Sequence, residues 1–195
     1  MIHLPFKIVV RRPGLAGPAI MLASLLLAGC ASTHYRPVSD TPTRVGRPYQ
    51  VRGITYTPAD DRAYDQLGYA SWYGHESGNQ TANGERFRAG AIAAAHTTLP
   101  LPCYVEVTSL ATGRTILVRI NDRGPFTRGR IIDLSRGAAA LLGIERAGVG
   151  AVRVRRVDPP ARDRARLRAG KAATLRPDVP ESVLEQLRAR LAAGG

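Results

Sequence analysis

The stretch Cys103-Tyr104-Val105-Glu106-Val107-Thr108-Ser109-Leu110-Ala111-Thr112-Gly113-Arg114-Thr115-Ile116-Leu117-Val118-Arg119-Ile120-Asn121-Asp122 reads as two strands joined by a short loop. In its first half Tyr104, Glu106 and Thr108 alternate against Cys103, Val105 and Val107. In its second half Ile116, Val118 and Ile120 alternate against Thr115, Leu117 and Arg119. A period of two marks a strand with one face on a core, and Ala111-Thr112-Gly113 is a loop of hairpin length. The second strand runs directly into Asn121-Asp122-Arg123-Gly124-Pro125-Phe126. A carboxylate at a strand end sits on rigid backbone with its head at the surface. Asp122 therefore reads either as an Asx turn cap or as a cleft acid.

Similar segments lie on both sides. Leu67 to Gly74 alternates Tyr69, Ser71 and Tyr73 with Ala70 and Trp72, and Trp72 fits a sugar-stacking platform as well as a barrel wall. Asn83-Gly84 is a tight-turn pair, and Glu85 leaves that turn. Ala91 to His96 is short and apolar, followed by Leu99-Pro100-Leu101-Pro102, which forces an extended course. Arg130 to Leu134 is a further strand, after which Ser135 caps a short helix that Gly143 stops. Gly150 to Val157 closes the set by alternating valine with arginine. Six short strands, one small helix and many glycine turns in one block predict a small β-barrel, and a sandwich fits nearly as well.

The ends have a different character. Residues 1–29 combine Lys7, Arg11 and Arg12 with an apolar run from Gly14 to Ala28, the pattern of a secretory signal. The run ends in Leu27-Ala28-Gly29-Cys30, which resembles a bacterial lipobox and marks Cys30 for lipid attachment. Residues 30–66, rich in Pro, Thr, Arg, Asp and Tyr, read as an extended tether, with Tyr35, Tyr49, Tyr56 and Tyr64 as solvated or locally docked aromatics. Residues 158–195 read as an Arg/Ala-rich tail with one short amphipathic helix near Glu181 to Leu191. The whole chain carries +13; after residue 29 there are twenty-five basic and fifteen acidic residues, a net +10. Such charge asks for an anionic partner, and an export signal excludes nucleic acid in favour of peptidoglycan, lipid headgroups or lipopolysaccharide. With Cys30 acylated, Cys103 is left as a small buried hydrophobe. Neither CxxC nor HExxH occurs, so no metal and no cofactor is expected.

Three segments together carry a family resemblance. They are Ala70-Ser71-Trp72-Tyr73-Gly74 with Thr81-Ala82-Asn83-Gly84-Glu85; Ala94-Ala95-His96-Thr97-Thr98-Leu99-Pro100; and Val118 to Phe126 with Gly129-Arg130-Ile131-Ile132-Asp133-Leu134-Ser135. In order and spacing they resemble the rare lipoprotein A (RlpA) family of endolytic peptidoglycan transglycosylases. The resemblance covers about residues 67–157 and implies a six-stranded double-psi β-barrel, a fold shared with expansins and some endoglucanases. It implies catalytic roles for Asp122, Glu85 and His96. Asp122 would be a single acid/base that serves both halves of a non-hydrolytic cleavage, with its pKa raised by burial or by the charge of Glu85. Trp72, Tyr73, Asn83, Asn121, Arg123 and Asp133 would line the glycan cleft, although Asp133 also reads as a carboxylate that satisfies the turn before Ser135. Ala31 after the cysteine resembles sorting to the outer membrane. About 38 residues follow Val157, too few for the SPOR domain that many family members carry. Expected partners are therefore glycan strands, the outer membrane through Cys30, and division or cell-wall proteins. The other reading is a glycan-binding lipoprotein that does not cut.

Overall fold

A computed structural model describes residues 34–74 and 78–194. The expected signal peptide, Cys30 and the loop residues His75, Glu76 and Ser77 lie outside the described residues.

Among the described residues eight strands and three helices follow one another. They are β1 (Tyr49–Val51), β2 (Ile54–Tyr56), β3 (Asp65–Tyr73), β4 (Ala93–Ala95), β5 (Cys103–Ser109), β6 (Thr115–Asp122), β7 (Arg130–Ser135), α1 (Arg136–Leu142), β8 (Val149–Arg156), α2 (Ala161–Arg168) and α3 (Glu181–Ala192). β1 and β2 form a separate two-stranded hairpin, while the other six strands close a barrel in the order β3-β7-β4-β6-β5-β8. The barrel, rather than the sandwich, is the observed solution, and it leaves no strand edge unpaired. Its interior is set by the alternation described above. Val105, Val107, Val118, Ile120, Ile132, Leu134, Val152 and Val154 are all fully buried in one cluster. Each such side chain contributes about 1.5–3 kcal/mol relative to exposure. Ser135 caps α1 by accepting from the Ala138 N–H at 3.2 Å, and Gly143 ends it with φ 91°, a left-handed conformation that only glycine adopts cheaply.

Both flanks pack on the barrel, with the helix expected near Glu181 to Leu191 present as α3 and the tether tyrosines Tyr49 and Tyr56 locally docked. Residues 34–66 are held along the barrel. Arg36 N–H donates to Gly84 O at 2.7 Å, Arg44 exchanges two 2.8 Å backbone bonds with Leu101, and Ala59 N–H reaches Thr98 O at 3.0 Å. Tyr49 and Tyr56 stack at 5.3 Å between centroids, both meet Phe126 edge-on, and Tyr49 Oη donates to Thr97 O. The reason is packing: tyrosines with no regular period found a distant aromatic partner in Phe126. At the other end α2 and α3 both dock. Leu184 and Leu187 of α3 bury against Leu110, with Leu67 and Ala151 beside them. A lone helix of this length would be marginal in water, so this apolar seam supports it.

Candidate active site

Asp122 owes its position to a β-bulge. β6 lies parallel to β4 with Ala94 opposite Ile120 and Ala95 opposite Asp122, so Asn121 is an extra residue. A bulge turns consecutive side chains toward one side. Both meet the same loop: Asn121 Nδ2 donates to Glu85 Oε2 at 2.9 Å, and Asp122 Oδ1 accepts from Ala82 N–H at 2.8 Å. Continuing across the barrel, Ala95 is opposite Asp133 of β7 and Asp133 is opposite Ser71 of β3. Residues in register on neighbouring strands share a face, so Asp122, Ala95, Asp133 and Ser71 form one transverse row on the outside of the barrel. With strands about 4.8 Å apart, the two aspartate backbones stand roughly 10 Å from each other across Ala95, which is buried with Gly124 beside its methyl.

Burial raises the pKa of Asp122. The N–H groups of Ala82 and Arg123, both 2.8 Å from Oδ1, and the charge of Arg123 pull it the other way. Burial likewise raises the pKa of Asp133, opposed by the Ser71 hydroxyl that donates to its Oδ1 and by Arg130, 3.5 Å from its Oδ2. Tyr73 lies on β3 beyond Asp133, two residues along from Ser71. Its phenol is pushed up by burial and by the charges of Asp122 and Asp133, and its Oη is buried without a hydrogen-bond partner among the described residues. The row thus holds two carboxylates with raised pKa values, and beside it the Tyr73 phenol has no acceptor among the described residues.

Glu85 and His96 lie behind this row. Glu85 is 1% exposed, and its two oxygens accept from Arg119 Nη1 (2.7 Å) and Nη2 (2.8 Å), Asn83 Nδ2 (2.8 Å) and Asn121 Nδ2 (2.9 Å). Burial alone would raise its pKa, but the Arg119 bonds and charge and the two amides lower it, so Glu85 is ionised. The raised pKa of Asp122 therefore comes from burial and not from Glu85, whose charge Arg119 neutralises. His96 is 2% exposed; its Nδ1 accepts from the N–H groups of Thr98 (3.2 Å) and Leu99 (3.0 Å), so the neutral ring carries its proton on Nε2. Burial first and the charge of Arg123 second lower its pKa to about 3.

Other expected cleft residues also turn out to hold the frame. Asn83 is buried against Glu85. The Arg123 guanidinium donates to the carbonyls of His96, Leu99 and Val45, clamping the loop after β4 to the docked N-terminal segment. Trp72 points the opposite way from Ser71 and Tyr73, packs on the core and donates Nε1–H to Glu145 O at 3.1 Å, as a wall residue does. Arg119, unremarked in the sequence because it alternates with core residues, is the hub of the support. Besides Glu85 it holds Ser39 O at 2.6 Å and Asp40 at 3.3 Å. Arg36 completes the clasp at Asn83 O, 3.2 Å away. A cavity of about 810 Å³ between residues 40–62, β8 and α2 contains none of the row. Its Arg156, Arg164 and Arg168 already face Asp60, Asp158 and Asp40.

Residues 65–154 match the family model described as lytic transglycolase. Among curated relatives, the endolytic peptidoglycan transglycosylase RlpA of Rickettsia felis is 44% identical over 115 residues, 57% of this chain and 50% of that protein. The endolytic peptidoglycan transglycosylase RlpA of Pseudomonas aeruginosa strain UCBPP-PA14 is 52% identical over 114 residues, 57% of this chain and 33% of that protein. The chain thus spans a third to a half of the length of these relatives. Among solved structures, a Streptomyces papain inhibitor overlaps 51% of this chain and 100% of its own, at 25% identity and a TM-score of 0.42.

Proposed function

We propose, from the match of residues 65–154 to the lytic transglycolase family model and the similarity to the RlpA proteins, that this chain is an endolytic lytic transglycosylase of peptidoglycan acting through its double-psi β-barrel. The substrate is the glycan strand, cut between N-acetylmuramic acid and N-acetylglucosamine. The observation that carries this reading is the transverse row, in which two aspartates with raised pKa values flank a small floor residue beside the unpartnered phenol of Tyr73.

Asp122, in its acid form, protonates the glycosidic oxygen as its bond to the muramyl anomeric carbon breaks. The muramyl 6-hydroxyl oxygen then bonds to that carbon and gives its proton to the Asp122 carboxylate. No water is consumed, the product ends in a 1,6-anhydro ring, and the acid is restored. Asp133 faces the same sugar from across Ala95 and stabilises the positive charge that develops at the ring, while the buried Tyr73 phenol backs the row. Glu85, His96, Asn83, Arg119 and Arg123 are positioning residues: they fix the loops 81–85 and 96–99 that bury Asp122, and burial is what gives it a proton to donate.

The domain order fits a cell-envelope role. Residues 1–29 act as a lipoprotein signal, Cys30 carries the lipid, and the barrel works on the wall from the periplasmic face of the outer membrane. Peptidoglycan, with division or cell-wall proteins, is the anionic partner of the basic surface.

Digestion of sacculi by the purified protein, read by mass spectrometry, tests the reading. The expected result is soluble 1,6-anhydromuramyl products, with release falling about a thousandfold or more in Asp122→Asn. Products with hydrated reducing ends would refute the mechanism. Binding to sacculi with no product at all would leave a glycan-binding module in its place.

A further inference from the structure

The outer face of β3 extends past the aspartates. Leu67, Tyr69, Ser71 and Tyr73 share that face, and on β8 Ala151 is opposite Tyr69 while Val149 is opposite Ser71. α3 covers Leu67 and Ala151. It stops short of the next residues, leaving Tyr69 45% and Val149 50% exposed. On the other side Arg130 of β7 is opposite Tyr69, with its Nη2 near Thr127 and Asp133. The bare ring and its apolar neighbour therefore continue the face that bears Asp133 and Ser71, one pleat or roughly 7 Å farther along the strand.

We propose that Tyr69 is the platform of an outer glycan subsite. A pyranose ring has an apolar face of C–H groups and a polar rim of hydroxyls. A solvent-facing tyrosine ring buries the first, and a neighbouring guanidinium hydrogen-bonds the second. Val149 widens the apolar floor, and α3 forms the wall that keeps the strand on the line from Asp122 through Asp133 to Tyr69. This inference rests on the glycan-cleaving reading and gives the direction in which the strand leaves the scissile bond. Trp72, the aromatic that sequence suggests for this task, faces the other side of the same strand.

The test uses the full chain and its Tyr69→Ala, Tyr69→Phe and Tyr69→Trp variants on glycan strands separated by length. Tyr69 is exposed, so all four should melt alike. Tyr69→Ala is expected to raise KM for long strands about five- to tenfold with kcat unchanged, to leave the shortest cleavable strands unaffected, and to be rescued by Phe and Trp. An unchanged KM on long strands, or an equal loss on short and long strands, overturns the subsite. If the wild-type chain cuts nothing, the transglycosylase reading fails and co-sedimentation with sacculi decides instead. Weaker binding by Tyr69→Ala upholds the platform, and equal binding removes it.

Discussion

The outer row and the network behind it use the same residue types to opposite ends. Around Glu85 every charge is answered: one carboxylate meets a two-pronged guanidinium and two amides, and its pKa falls. Around Asp122, Asp133 and Tyr73 the charges are under-answered, both carboxyl pKa values rise and a phenol is left without an acceptor among the described residues. The first arrangement rigidifies, and the second stores chemistry. A reactive acid needs partial desolvation, and only a stiff, fully satisfied neighbour can hold the loops that provide it.

Substitution should separate the two. Asp122→Asn removes activity while leaving the melting temperature close to wild type. Glu85→Ala strands the buried Arg119 and should cost about 3–5 kcal/mol of stability, read as a large fall in the unfolding midpoint with activity lost alongside it. Equal melting of Glu85→Ala and wild type would break the distinction. Next in size is Tyr73→Phe. Its hydroxyl is buried with no partner among the described residues, so deletion should leave stability unchanged or slightly higher and change glycan cleavage by no more than about threefold, because the buried oxygen does not reach the sugar. A stability loss without an activity loss would move Tyr73 to the support side.

The smallest effect is in pH dependence. His96 has its pKa lowered from 6.5 to about 3 in the fold, so between those values the unfolded chain binds the proton and the native one does not. Stability should therefore fall as pH drops from 6.5 toward 3. In His96→Gln that component should vanish, with each variant compared with its own value at pH 7 by denaturant unfolding. The depressed pKa of Glu85 acts in the same direction below pH 4.5, while the raised pKa values of Asp122 and Asp133 act in the opposite direction above 3.8, so these carboxylates set the residual slope of His96→Gln.

How the frame reaches the row could not be read from local pattern. The three motif loops are tied to a segment that looks like a tether: Arg36 to the 81–85 turn, Arg44 and Ala59 to residues 98–101, and Val45 to Arg123. The signal of periodicity fails there because the segment makes its bonds as single backbone contacts and side-chain clasps, neither of which repeats. Arg119 was hidden for a related reason. On an alternating strand the non-core face is expected to meet water, whereas here the docked segment and Glu85 cover it.

The sequence by itself determined the barrel strands, the cap and stop of α1, the buried Cys103 and the presence of Asp122 at a strand end, because these follow from a period of two and from local backbone chemistry. Tertiary structure alone decided that Trp72 faces inward while Tyr69 faces out. It also decided that Glu85 is neutralised by Arg119 and that Asp122 and Asp133 stand in one row. Those are properties of cross-strand register and of burial by distant segments, and a carboxylate's proton affinity depends on what surrounds it in space rather than on its neighbours in the chain.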